Sequence, residues 1–337
     1  MTQNIRSANK RVIKQLSKAL YDYDDKTVSQ AIKSVFSPNA IIQLSYPFEL
    51  LTGPESLYKD VYKPLNHAIP DLERRETIVI AGAAEDGSNW VGCCGYYTGS
   101  FEKNWLDIPA TGHQVAMRFH EFYRIENGLV VEMQAIWDIP EVMMQANAWP
   151  MAPSLGREWH VPSPATQDGL TVVNDDVTAN LSCKLVGDMC NSLGNYASGG
   201  GVEAMQLEKY WHPRCSWYGP SGIGTGRGIK GFRNWHQIPF LNGMPNREGD
   251  VGKGYLFGDG NYVGFTAWPG MKMTISNDGW LGIAPANQQI TMRSLDFWRC
   301  ENGVIRENWV LVDILHVYHQ IGVDVLARMK EFNKARY

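Results

Sequence analysis

The chain has 337 residues, 44% of them hydrophobic and 20% charged, with 12 Trp, 15 Tyr and a formal net charge of −4. That length exceeds the ~250–300 residues at which single cores stop growing, so two domains are expected, and the apolar content excludes bulk disorder. The slightly acidic balance, with no basic run of five or more, excludes a broad phosphate-binding face, so nucleic acid is not an expected partner.

In chain order, the apolar spacing predicts helices over 4–22 and 26–36, then a strand over 40–46. Thr52-Gly53-Pro54-Glu55 has the pattern of a capping box with Pro in the first turn and opens a predicted helix over 54–68, which Pro70 ends. Strands follow at 74–82, 89–100, 113–126 and 129–138, the last two joined by the tight turn Glu126-Asn127-Gly128. The opening MTQNIRSANKRVIKQLSKAL mixes charge with apolar residues and reads as an ordinary first helix, and no stretch reaches the ~18 apolar residues of a membrane span. The expected location is the cytoplasm, with no membrane partner. Cys93, Cys94, Cys183, Cys190, Cys215 and Cys300 form no C-x-x-C pair and read as reduced thiols.

The same series recurs at an offset of 175. Between 114 and 145 thirteen of thirty-two positions are identical, among them Arg118/Arg293, Asn127/Asn302, Gly128/Gly303, Glu132/Glu307, Asp138/Asp313 and Gln145/Gln320, and upstream Tyr21/Tyr196, Pro64/Pro239 and Trp105/Trp280 also match. A period this long means whole domains and not a solenoid. The expected organisation is one domain over 1–150, a linker or ordered strap over 151–170 in a stretch bearing Pro150, Pro153, Pro162 and Pro164, and a second domain over 171–337. Helices followed by strands predict the α+β class, with two tandem curved antiparallel sheets each packed on helices.

Copy two carries Glu307, Trp309, Asp313, Gln320 and Gly322 in the order E-x-W-x-x-x-D then Q-x-G, and copy one carries Thr98, Gly99 and Phe101 followed by Pro109-Ala110-Thr111-Gly112. In these patterns each copy resembles the SnoaL-like polyketide cyclase family. The resemblance implies the cone-shaped fold of nuclear transport factor relatives, with a pocket between sheet and helices. It also implies an aspartate on the last strand as the acid/base of an intramolecular aldol closure that uses no metal or cofactor. Asp313 and Asp138 are the matching positions. Copy one departs from the pattern at Gln134 and Ala146, and copy two replaces Pro-Ala-Thr-Gly by Ala284-Pro285-Ala286-Asn287, so the pockets are expected to have diverged, with copy two favoured. By further analogy the halves are expected to pack as an intramolecular pseudo-dimer.

Strand alternation puts Glu307, Trp309 and Asp313 on one face, with Asp313 expected at the inner end of the strand, facing a cavity shared with Trp309 and the 229–240 helix, and Glu307 and Trp309 as substrate-binding candidates. Asp138 likewise stands at a strand end among apolar residues, where a raised pKa would suit acid/base work. The structural alternative is that both aspartates simply cap the helices that follow. Arg118 and Arg293 are candidates to polarise a substrate oxygen, or else pair across strands with Glu132 and Glu307. His236 on the predicted third helix, His67 at its counterpart in copy one, and Trp217 and Tyr218 complete the candidate substrate-binding set. His316 and His319 share a helix face but lack a third ligand, so no metal is expected. The glycine-rich 219–228 lacks a nucleotide-binding pattern and reads as a mobile loop over the pocket mouth. Two functions remain open at this point: a cofactor-independent cyclase, isomerase or lyase acting on a small carbonyl compound, and a non-catalytic binding or interaction module.

Overall fold

A computed structural model describes residues 2–196, 199–250, 253–278 and 280–334. The outermost residues of the expected copies, Met1 and 335–337, lie outside the described residues. The chain forms two compact units. One holds Met1–Pro150, Asp168–Thr171 and Asp324–Tyr337, the other Met151–Gln167 and Val172–Val323. The Pro-rich segment up to Gln167 thus belongs to the second unit, and the helix Val325–Lys334 to the first, where Lys330 meets Asp107 at 2.6 Å.

The first unit opens with the helix Thr2–Tyr21, which lays Ile13, Leu16 and Leu20 against the sheet, and the helix Asp25–Val35, whose Thr27 N–H donates to the Asp24 side chain at 2.9 Å. Strands β1 (Phe36–Leu44) and β2 (Leu50–Thr52) precede a helical stretch over 53–68, and β3 (Glu73–Ala83), β4 (Asn89–Ser100), β5 (Gln114–Glu126) and β6 (Leu129–Trp137) complete the unit. The capping box is not formed: Thr52 makes no side-chain cap, and Pro54 in the first turn marks the start instead. The sheet order is β2-β1-β6-β5-β4-β3. All ladders are antiparallel except β1 with β6, so the sheet is mixed and not purely antiparallel as expected.

The second unit repeats this plan. Its first helix, Asp176–Leu193, is capped by Asp175, which accepts from Val177 N–H at 3.0 Å. Strands β7 (Trp211–Tyr218) and β8 (Thr225–Arg227), a helical stretch over 228–243, then β9 (Glu248–Asp250), β10 (Lys253–Asp259), β11 (Tyr262–Thr274), β12 (Gln289–Glu301) and β13 (Val304–Val312) follow. The sheet runs β10-β11-β12-β13-β7-β8 with β9 on β11, and β13 lies parallel to β7. In both units Asn-Gly turns the last hairpin, with φ of 51° and 77° at Asn127 and Gly128 and again at Asn302 and Gly303. Two successive positive φ values define the tight turn that suits the strand twist, and glycine and asparagine adopt them most easily. Neither sheet closes into a barrel. Among the described residues no helix is long and apolar enough to cross a membrane.

Candidate functional site

In the second unit the sheet and the 228–243 helical stretch enclose a cavity of about 240 Å³. Its sheet wall is built from alternate residues of two strands, Met292, Ser294, Asp296 and Trp298 on β12 and Asn308, Val310 and Val312 on β13. The helical wall presents Phe232, His236, Gln237 and Phe240, and Trp211 and Trp217 enter from β7. His236 and Gln237 stand in a π-helical segment, Arg233–Gln237, a local widening often found at functional sites.

The first unit explains by contrast why this space is open. There the corresponding interior is filled by a buried network centred on Glu121, whose carboxylate accepts from Arg74 at 2.5 Å, Tyr97 at 3.0 Å, Tyr123 at 2.5 Å and Trp137 Nε1 at 2.8 Å. Tyr62 adds its hydroxyl to that of Tyr97 at 3.0 Å. At the offset of 175 the fillers are replaced by smaller groups: Arg74 by Gly249, Tyr62 by Gln237, Phe119 by Ser294 and Trp137 by Val312. Met271, paired with Met292 as Tyr97 is with Met117, takes the place of the tyrosine. Lost volume that neighbours do not reclaim stays as a void, and a void edged by polar groups is a ligand site by default.

Its polar groups are held in distinct states. The His236 ring stacks on Trp217 with centroids 4.0 Å apart and planes at 11°, and Phe232 and Phe240 flank it at 5.6 and 5.4 Å. Although the ring is partly accessible at the cavity wall, burial, helped by the Arg247 charge, pushes its pKa down to about 3, so the imidazole is neutral near pH 7. Its Nδ1 has no hydrogen-bond partner. Asp296 is buried and accepts from Ser294 Oγ at 2.7 Å, with Asn308 Nδ2 at 3.5 Å. The indole nitrogens of Trp211, Trp280 and Trp298, Gln237 Oε1 and Arg247 Nε are buried without partners, although all five side chains line the cavity. Buried polar groups are almost always satisfied, so this concentration of spare polar atoms, four N–H donors and the Gln237 carbonyl acceptor, sets the cavity apart.

The residues singled out in the sequence divide across the sheet. Trp217 and His236 line the cavity. Tyr218, Arg293, Glu307, Trp309 and Asp313 do not, because side chains alternate along a strand and theirs leave from the other face. The expectation that Asp313 and Trp309 face the cavity is therefore corrected. Asp313 accepts from His316 N–H at 3.1 Å as the cap of the last β13-linked helix and pairs with Arg293 at 3.0 Å, while Arg293 lies over the Trp268 ring at 4.3 Å. Glu307 accepts from Arg299 at 2.5 Å, Tyr218 at 3.1 Å and Ala165 N–H at 3.2 Å, and Trp309 donates to Pro162 O at 3.0 Å. Glu307 and Trp309 thereby anchor the Pro-rich strap on the unit's second face. In the first unit Asp138 accepts from Glu141 N–H at 3.3 Å and stands 3.7 Å from Arg118, both buried, whereas His67 is exposed.

The glycine-rich loop is also corrected. Residues 219–224 are buried, and the strap is tied to the loop: Gly156 N–H donates to Ile223 O at 2.9 Å, and Arg157 and Thr225 exchange backbone bonds at 2.9 Å. A Cβ on Gly224 would stand 2.5 Å from the Gly156 backbone, so the glycine serves close packing and not mobility. Asp296, Arg247, Gln237, Ser294 and Asn308 were not singled out. Glu121 aligned with Asp296 at the offset of 175, an acid retained mid-strand in both copies, was the available signal.

The family model described as SnoaL-like polyketide cyclase matches residues 14–146 and 203–321. No curated protein matches. Among solved structures, AclR from Streptomyces galilaeus is 17% identical over 44% of this chain and 86% of its own, with a TM-score of 0.36. IdmH from Streptomyces antibioticus is 17% identical over 41% of this chain and 98% of its own, with a TM-score of 0.35. A SnoaL-like protein from Jannaschia sp. CCS1 is 19% identical over 42% and 92%, also at 0.35. With two family matches that together span most of its length, the chain belongs to the SnoaL-like polyketide cyclase family.

Proposed function

We propose that the protein is a cofactor-independent acid/base catalyst of the cyclase type, acting on a small cyclic or aromatic carbonyl compound, and that its working site is the cavity of the second unit. The observation that carries this reading is the pairing of a buried carboxylate, Asp296, with spare N–H donors in one aromatic-walled space. Proton removal beside a carbonyl needs a base for the carbon acid and donors for the oxygen on which charge develops. Asp296 fills the first role. The indole N–H groups of Trp211, Trp280 and Trp298 are suited to the second, and neutral His236 donates or accepts without adding charge. A substrate ring has Trp217 and Phe240 to pack against. The first unit, its interior occupied by the Glu121 network, serves as scaffold.

The experiment is exchange of the C1 protons of 2-tetralone in D₂O, followed by NMR. The reading expects exchange above background with the intact chain, lost in Asp296→Asn and retained in Glu121→Gln. Exchange at background, or equal in Asp296→Asn, contradicts it.

A further inference from the structure

Arg247 carries a positive charge into the cavity wall of the second unit. Its Nη2 donates to Leu193 O at 3.3 Å, Nη1 lies 3.7 Å from Met271 Sδ, and Nε is buried without a partner. Among the described residues no carboxylate pairs with it. A guanidinium set into a protein is normally forked onto an anion, because an unpaired buried charge is costly.

The first unit shows what such a position accepts. There Arg74 is fully buried and meets Glu121 at 2.5 Å. In the second unit residue 249 is glycine, and the arginine stands two positions earlier, at 247, where the first unit has Leu72. The cation has been kept near the interior, and the protein's own carboxylate partner for it has not. Asp296, at the place of Glu121, is engaged by Ser294 instead.

We propose that Arg247 is a specificity-determining residue that receives a carboxylate of the substrate, so that the ligand is a flat, one- or two-ring carbonyl compound bearing a single free carboxylate. This rests on the cavity reading above and deepens it. The size follows from the cavity: about 240 Å³ lies just under the ~300–1,000 Å³ of typical ligand pockets. The single charge follows from the wall, which Arg247 and Asp296 both line without forming an ion pair: one guanidinium matches one carboxylate, and a dianion such as a phosphate monoester would be repelled by Asp296.

Two probes of one shape separate charge from fit: 2-naphthoate and 2-naphthamide, titrated calorimetrically into the full chain. Wild type should bind the naphthoate roughly tenfold tighter or more, the usual range for a charge-assisted hydrogen bond. Arg247→Gln should lose that preference while keeping affinity for the amide, and Arg247→Lys should keep part of it. Melting temperatures of both variants check that they fold. Naphthoate bound no tighter than the amide, or not bound at all, overturns the assignment, as does a preference that survives in Arg247→Gln. Val312→Trp, which puts back the bulk present at Trp137, distinguishes the two readings. If it blocks two probes that bind equally, the cavity stands and only the arginine's role fails. If a naphthoate preference persists in it, the anion sits elsewhere and both readings fail.

Discussion

Glu121 and Asp296 occupy the same place in the two sheets, 175 positions apart, and differ in what reaches them. Four side chains converge on Glu121, from Arg74, Tyr97, Tyr123 and Trp137, and consume its acceptor capacity. Asp296 keeps the carboxylate but stands in a cavity wall with Ser294 at 2.7 Å. One repeat has spent its interior on stability and the other has kept it open.

Gly249→Arg tests that contrast directly. Its Cβ would meet nothing within 4 Å, so the backbone tolerates the change, and the new guanidinium can reach toward Asp296 as Arg74 does toward Glu121. Affinity for 2-naphthamide should fall by roughly tenfold or more, equivalent to about 1.4 kcal/mol, while the urea midpoint holds or rises. Calorimetry and urea denaturation on the same preparation provide both readings.

Glu121→Gln should do the opposite. It removes the fully buried anion from Arg74 and leaves it only the part-buried Glu76 at 3.2 Å, so the loss should fall below the about 3–5 kcal/mol typical of a fully orphaned buried charge. Urea unfolding followed by circular dichroism should show the loss, and ligand affinity per folded molecule should be unchanged because the second unit's cavity is untouched.

His236 predicts a pH dependence with a definite sign. Its folded pKa, near 3, lies below the 6.5 of an unperturbed histidine, so the unfolded chain takes up the proton first as pH falls. Above pH 6.5 both states are neutral and nothing changes. Between 6.5 and about 3 the folded state loses up to ~1.4 kcal/mol per pH unit from this group. Urea midpoints measured from pH 7 to 5 should decline more steeply in wild type than in His236→Asn, and the difference between them isolates the imidazole from the carboxylates.

The repeat, the element order and the hairpin turns were legible in the sequence because local chemistry decides them: Asn127-Gly128 and Asn302-Gly303 both adopt the positive φ values their turn requires. Which face of the last strands is the interior was not. Trp309 and Leu311 on one face of β13 and Val310 and Val312 on the other are all buried, so the strand offers no polar side to read, as in sheets covered on both faces. The strap carrying Pro162 and Ala165 covers the face of Trp309 and Glu307, and nothing local in β13 encodes it. Asp313, read as the inner aspartate, is a helix cap with an arginine partner, the structural alternative that its position before Ile314 also allowed. The cavity itself is a difference between two copies, visible only when large residues in one are set beside small ones in the other.

The most direct test compares Asp296→Asn with Asp313→Asn in the 2-tetralone exchange assay, with urea unfolding of both. The account predicts that Asp296→Asn lowers the exchange rate by about 10²-fold or more with little change in midpoint. Asp313→Asn, which still caps the helix but removes the carboxylate that Arg293 meets at 3.0 Å, should lower the urea midpoint while its folded fraction keeps full activity. Full exchange in Asp296→Asn together with its loss in Asp313→Asn would contradict the account and move the chemistry to the other face of the sheet.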